Sequence, residues 1–224
     1  MIKFENVSKK FGNGTVALAE INLEIPDGEF LFICGPSGAG KTTILRLLIR
    51  DLLPSSGSIF FDDWNLVKLS GRKIPHLRRR VGMVFQDFKL LEDRTVFENV
   101  ALTLEIIGGK EKNIQTKVNE ILGLLGLAEQ AALFPLQLSG GELQRTVLAR
   151  AIVGNPEVLL ADEPTGNLDP ATSWEIIKIL QDINKMGTTV IMATHNVDIV
   201  DSLGKRVVKI DKGKIKKDEK KGKY

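Results

Sequence analysis

Residues 35–43 read Gly35-Pro36-Ser37-Gly38-Ala39-Gly40-Lys41-Thr42-Thr43. The spacing Gly-x4-Gly-Lys-Thr is that of a P-loop, a chain segment that wraps phosphate. Glycines let backbone N–H groups turn inward, and the helix that follows points its positive end at the anion. Lys41 is placed to reach the β- and γ-phosphates of a nucleotide, and the Thr42 hydroxyl to ligate Mg²⁺. About 120 residues later, Val158-Leu159-Leu160-Ala161 runs into Asp162-Glu163. A carboxylate pair at the end of an apolar strand falls where open parallel sheets carry their chemistry. Asp162 is the second candidate for Mg²⁺, and Glu163 the candidate to polarise an attacking water.

Ser139-Gly140-Gly141-Glu142 admits two readings that are compatible. Ser-x-x-Glu before an apolar run is a capping box. Two glycines at a helix start also leave amides uncovered for an anion. His195 closes an apolar, β-branched run, 189–194.

These residues need elements to hold them. The run Phe30–Cys34 is continuously apolar, as a strand covered on both faces is, and it leads straight into the P-loop and a helix over 41–50. Alternation over 2–7, a less regular alternation over 15–25 and a strand over 57–61 predict an antiparallel sheet at the front. A short strand is expected over 81–85. Residues 98–107, 113–125 and 142–153 read as helices, and strands at 158–161 and 189–193 flank a helix near 173–184. The expectation is a single α/β chain with a mainly parallel sheet. Its core is made of 1–86 and 154–211, its helical lobe is 87–153 and its basic tail is 212–224.

Bulk properties limit what such a chain can do. Its 224 residues can bury a full core, and 43% hydrophobic with 26% charged residues is ordinary for a globular protein. The net charge of +3 hides an asymmetry. Residues 205–224 hold ten Lys/Arg against three Asp/Glu, so the rest is mildly acidic. The basic stretch reads as a solvated, disordered end, with attraction to anionic lipid headgroups as a milder role. Cys34 is the only cysteine, which excludes an intrachain disulfide and fits a reducing compartment. The first residues lack the apolar segment of a secretory signal, and no run of 18 apolar residues is present, so membrane contact is expected through a partner.

Taken together, the P-loop, Leu138-Ser139-Gly140-Gly141-Glu142-x-Gln144-Arg145 and Leu160-Ala161-Asp162-Glu163-Pro164 resemble the ATPase subunits of ATP-binding cassette (ABC) machines, from Ile2 to about Gly213. The resemblance implies a P-loop NTPase fold with an inserted helical lobe, and ATP and Mg²⁺ as ligands. It also implies a homodimer closed head to tail on two ATP molecules, in which Ser139–Glu142 completes the partner's site. By the same resemblance Gln86 reaches Mg²⁺ and the attacking water, and His195 contacts the γ-phosphate. Asn167, Leu168 and Asp169 cross the dimer interface, and Phe11 stacks on adenine, a position where many members carry Tyr. Residues 74–102, with Arg78-Arg79-Arg80 and Val84-Phe85-Gln86-Asp87-Phe88, are most similar to the cell-division branch. Members of that branch pair with an integral membrane protein of the FtsX type to control peptidoglycan hydrolysis outside. This implies a subunit on the inner face of the cell membrane, docked through a surface around Phe85–Asn99; the arginine run reads either as a solvated face or as a contributor to that surface. An ATPase of a lipoprotein-release or efflux transporter is the alternative. A nucleic-acid-associated ABC protein is more remote, because the chain lacks the coiled-coil, zinc or tandem modules of those relatives. Leu143, Thr42 in place of Ser, and the Lys-rich tail depart from the usual pattern.

Overall fold

The computed structural model describes residues 1–224. Two sheets lie back to back. β1 (Ile2–Lys10), β2 (Val16–Ile25), β4 (Ser56–Phe61) and β5 (Trp64–Asn65) form an antiparallel sheet in the order β2-β1-β4-β5. Its irregular alternation has a cause in the backbone. Asn6 and Glu20 adopt φ 49° and 54°, and the β1–β2 register shifts between Phe4 and Val7. A bulge of this kind inserts an extra residue and breaks the period of two.

The second sheet has six strands in the order β10-β9-β3-β8-β7-β6. β3 (Phe30–Cys34), β6 (Val81–Val84), β7 (Val158–Asp162), β8 (Thr189–Thr194) and β9 (Arg206–Asp211) run parallel. The continuously apolar strands are explained by where alternate residues go. Phe30, Phe32 and Cys34 enter a core of 29 residues shared with the helices, whereas Leu31 and Ile33 enter a core of 27 shared with the antiparallel sheet. Strands β7 and β8 divide in the same way, through Leu159 against Leu160 and Val190 against Ile191. Burying both faces removes the alternation that a one-sided strand would show.

Helix α1 (Lys41–Leu48) follows β3 directly. Helix α2 (Ile74–Arg80), which the sequence pattern does not announce, leads into β6. Three helices fill the stretch between β6 and β7: α3 (Val96–Ile107), α4 (Glu111–Leu124) and α5 (Gly140–Ile152). Helix α6 (Pro170–Lys185) joins β7 to β8, and α7 (Val197–Leu203) joins β8 to β9.

The basic tail departs from expectation. β10 (Lys214–Glu219) pairs antiparallel with β9, Gly213 N–H donates to Ala39 O, and Gly222 N–H donates to Lys205 O. Lys214, Lys216 and Lys217 are all exposed on this edge strand, and charged side chains there discourage edge-to-edge pairing. A segment rich in Lys therefore reads as a solvated end in sequence while its backbone is ordered in a sheet.

Candidate active site

The P-loop lies at the carboxyl ends of β3 and β8, and its shape depends on glycine. Gly40 caps α1 at φ 110° with no side chain covering the helix N-terminus, so the first amides of α1 face the loop's concavity. A Cβ on Gly40 would lie 2.5 Å from Ala17 O and 2.8 Å from Leu18 Cδ2. One on Gly35, at φ 153°, would sit 2.1 Å from Ile210 O. The turn is thus wedged between β2 and β9 with no room for a side chain.

Lys41 is buried, and its ammonium donates to Gly35 O at 2.8 Å and Pro36 O at 3.3 Å. It lies 3.5 Å from Glu163 Oε1. Thr42 Oγ1 donates to Asp162 Oδ1 at 3.1 Å. Burial pushes the Asp162 carboxyl above the ordinary range, against the Thr42 hydrogen bond, which lowers it. Glu163 sits just past β7 at φ 47°, a conformation that costs a side-chain-bearing residue of order 1 kcal/mol or more. Its N–H donates to Ala193 O at 2.9 Å, which aims the carboxylate across the end of β8. There Glu163 Oε1 lies 2.8 Å from His195 Nδ1, and only 10% of its side chain is exposed, against 65% for His195.

One cavity of about 600 Å³ gathers Pro36–Thr43, Phe11, Gln86, Glu163 and His195. A cationic loop lined with amides, a poorly hydrated carboxylate and an imidazole in contact can bind polyphosphate and direct a water at it. Thr15, Ala17 and Tyr224 also line it and carry no sequence signal. Tyr224 reaches the cavity because its N–H donates to Asp201 Oδ1 at 2.7 Å, and its ring faces the Lys209 ammonium at 5.2 Å. Cys34, under the P-loop, is buried, and desolvation pushes its thiol to about 12, so it is inert.

The structure does not bring Ser139–Glu142 or Asn167–Asp169 to this cavity. Ser139 instead forms the capping box of α5. Its Oγ accepts from Glu142 N–H and donates to Glu142 Oε2 at 2.6 Å, and its N–H donates to that same carboxylate at 2.8 Å. Gly140 is exposed beside Leu168. Asp169 caps α6, accepting from Thr172 N–H at 3.1 Å. These two motifs thus lie side by side, away from the P-loop of their own chain.

The arginine run divides. Arg80 pairs with Glu157 and Asp62 and stacks on Phe61 at 4.3 Å, which makes it a strut between the sheets. Arg78 and Arg79 line a separate groove of about 590 Å³ with Phe85, Lys89, Ile106 and Arg150. Asn99 is fully buried, its side chain spent on Leu91, Arg94 and Thr95 of the preceding loop, so it is not part of an exposed surface.

A parallel sheet with a P-loop at its carboxyl edge, a strand-end carboxylate pair and a glycine-led helix apart from both defines a class of nucleotide-driven machines, and residues 18–166 match the ABC transporter family. The chain belongs to that family and is an ATP-binding, ATP-hydrolysing ABC ATPase. It is 51% identical to the cell division ATP-binding protein FtsE of Streptococcus pneumoniae serotype 2 (strain D39 / NCTC 7466), over all of this chain and 97% of that one. It is 50% identical to FtsE of Bacillus subtilis (strain 168), over all of this chain and 98% of that one. Among solved structures, the dimeric post-hydrolysis ATP-binding cassette MJ0796, bound to ADP and Pi, superposes with a TM-score of 0.91 at 33% identity over the whole of both chains.

Proposed function

We propose that this chain is the ATPase subunit of a membrane complex of the cell-division type, closing as a homodimer on two ATP molecules and driving an FtsX-like integral membrane partner that controls peptidoglycan hydrolysis. The observation that carries this reading is the division of the site. Lys41, Glu163 and His195 meet at one cavity, while the helix-start amides of Ser139–Glu142 stand outside it, with Gly140 exposed. A second copy supplies those amides in trans, as expected for a closed two-fold assembly. The likeness to a dimeric cassette and to FtsE proteins supports it.

In this reading Gly35–Thr43 wraps the phosphates and Lys41 exchanges its loop carbonyls for the β- and γ-phosphate oxygens. Phe11 offers its ring to adenine. Glu163 accepts a proton from the attacking water, held in line by His195, whose imidazole also reaches the γ-phosphate. Gln86 orients that water from the loop after β6, and Asn167–Asp169 contacts the other copy. The donor set under the P-loop fits Mg²⁺: oxygen atoms only, with one buried carboxylate and no cationic side chain in ion-pair contact with it. Thr42, Asp162 and Gln86 would hold the ion, together with phosphate and water oxygens. When bound, Mg²⁺ neutralises charge on the phosphates.

No helix is long and apolar enough to cross a membrane. Following the likeness to FtsE proteins, we place the subunit on the inner face of the membrane, with a short helix of the partner seated in the groove between α2, α3 and the end of α5. Ile74, Met83 and Ile106 line it beside Arg78, Arg79 and Lys89, a mixture that suits an amphipathic helix with acidic residues.

The test is capture from the native membrane with the Glu163→Gln protein held in ATP. Retention of a membrane protein with an extracytoplasmic domain, together with cell-wall hydrolases, is expected. Retention of lipoproteins or an efflux conduit instead would move the subunit to a transporter and overturn the division role.

A further inference from the structure

Two consecutive residues of the loop after β6, Phe88 and Lys89, hold φ 57° and 55°. Neither is glycine, asparagine or aspartate, the residue types that tolerate the left-handed region, so the surroundings must impose it. The imposing group is Arg150, near the end of α5. Its Nη2 donates to Phe88 O at 2.8 Å and its Nη1 to Lys89 O at 2.6 Å. A planar guanidinium presents two N–H groups to such a pair in a fixed fork, where an ammonium is a point charge on a shorter, flexible stem.

Arg150 makes no ion pair with a carboxylate, and burial lowers its affinity for the proton. A half-buried charge whose hydrogen-bond partners are two carbonyls and no carboxylate carries a desolvation cost, so its use on a strained loop calls for a reason. The loop supplies one. Gln86 at its start faces the nucleotide cavity, and Leu91 at its end is fixed through N–H and C=O to the buried Asn99 side chain. Between those points Arg150 sets the backbone. The same guanidinium lines the groove with Phe85 and Lys89, so the groove and the loop share one side chain.

We infer that Arg150 is a positioning residue for hydrolysis: its fork on the carbonyls of Phe88 and Lys89 holds the loop in the left-handed setting that presents Gln86 to the nucleotide. This rests on the reading of Gln86 given above. The clamp ties the helix that starts at Ser139 to the loop that starts at Gln86, and so links the two halves of the composite site within one chain.

The experiment uses the full chain with Arg150→Ala, Arg150→Lys, and Arg150→Ala combined with Lys89→Gly. Expected for Arg150→Ala are a fall in kcat of roughly tenfold or more with ATP affinity within about twofold, and faster amide exchange confined to residues 86–91. Arg150→Lys should behave alike, because the lysine stem is shorter and its ammonium lacks the fixed planar fork. Lys89→Gly should restore part of kcat in the Arg150→Ala background, because glycine adopts φ near +55° without strain. A purely structural arginine would lower ATP affinity and melting temperature together and show no glycine rescue, which would overturn the proposal. Unchanged exchange in Arg150→Ala would remove the clamp. Undiminished turnover in Gln86→Ala would instead remove Gln86 from the reaction, and with it the reason for the clamp.

Discussion

Replacing Arg80 by alanine should destabilise the fold while leaving the ATPase chemistry of the folded protein intact. Arg80 donates to both oxygens of Glu157 at 2.6 Å and to Asp62, joining the entry of β7 to the β4–β5 turn. Hydrogen bonds to charged groups are worth about 1.5–3 kcal/mol each when buried. A quarter of the Arg80 side chain and half of Glu157 are exposed, so water screens these pairs to about 0.5–1 kcal/mol each. Stacking on Phe61 and Trp64 adds about 0.5–1 kcal/mol, together with the packing of the aliphatic stem. The loss comes to about 2–3 kcal/mol, or a melting temperature lower by roughly 5–10 °C for a chain of this size. Thermal and urea melts of Arg80→Ala, Asp62→Ala and the double variant measure it, with the double mutant showing less than additive loss. A loss under about 0.5 kcal/mol, or turnover per folded molecule that falls with Arg80 but not with Asp62, would refute the strut and return Arg80 to the surface role expected of a basic run.

Other perturbations are as specific. Gly40→Ala forces a Cβ against Ala17 O at a φ that L-residues avoid, so the P-loop must open. ATP affinity, read by titration of a fluorescent analogue, should fall at least about tenfold, or 1.4 kcal/mol, and an unchanged affinity would show the turn to be tolerant. The Glu142 carboxylate is held below the usual range by hydrogen bonds from Ser139, and that of Asp169 by those from Thr172. A depressed native pKa gives stability that is complete above the unfolded value, 4.5 for Glu, and is lost as pH falls through the native one. Asp162, raised by burial, acts with the opposite sign. Unfolding midpoints across roughly pH 3–5 should therefore change less with pH in Glu142→Gln/Asp169→Asn than in the parent; equal slopes would contradict the capping assignment.

Much of the site is legible in sequence because each motif is short and its partner elements adjoin it. Gly35–Thr42 lies between β3 and α1, and Asp162-Glu163 ends an apolar strand, so their placement needs no long-range information. What sequence cannot show is how a residue is spent. Asn99 is consumed by a loop, and Arg80 differs from Arg78 and Arg79 only in its neighbours. Helix α2 hides behind Pro75 and three arginines, and β10 behind lysines, because edge and surface elements carry little hydrophobic period. The expected tail became a strand because its backbone pairs with β9 and Asp218 accepts from Arg206 at 2.7 Å, neither of which a run of lysines announces.

The most direct measurement of the central account is the molar mass of Glu163→Gln in solution, by light scattering, with and without Mg²⁺-ATP. If Glu163 activates the attacking water as proposed, its replacement while keeping Lys41 and Ser139–Glu142 should leave a stable two-fold dimer only when ATP is present. The same protein with Lys41→Ala should stay monomeric, and turnover in Glu163→Gln should fall by roughly 10²-fold or more. A Glu163→Gln protein that hydrolyses ATP at the parental rate, or that remains monomeric at saturating ATP, would contradict a site divided between two copies of the chain.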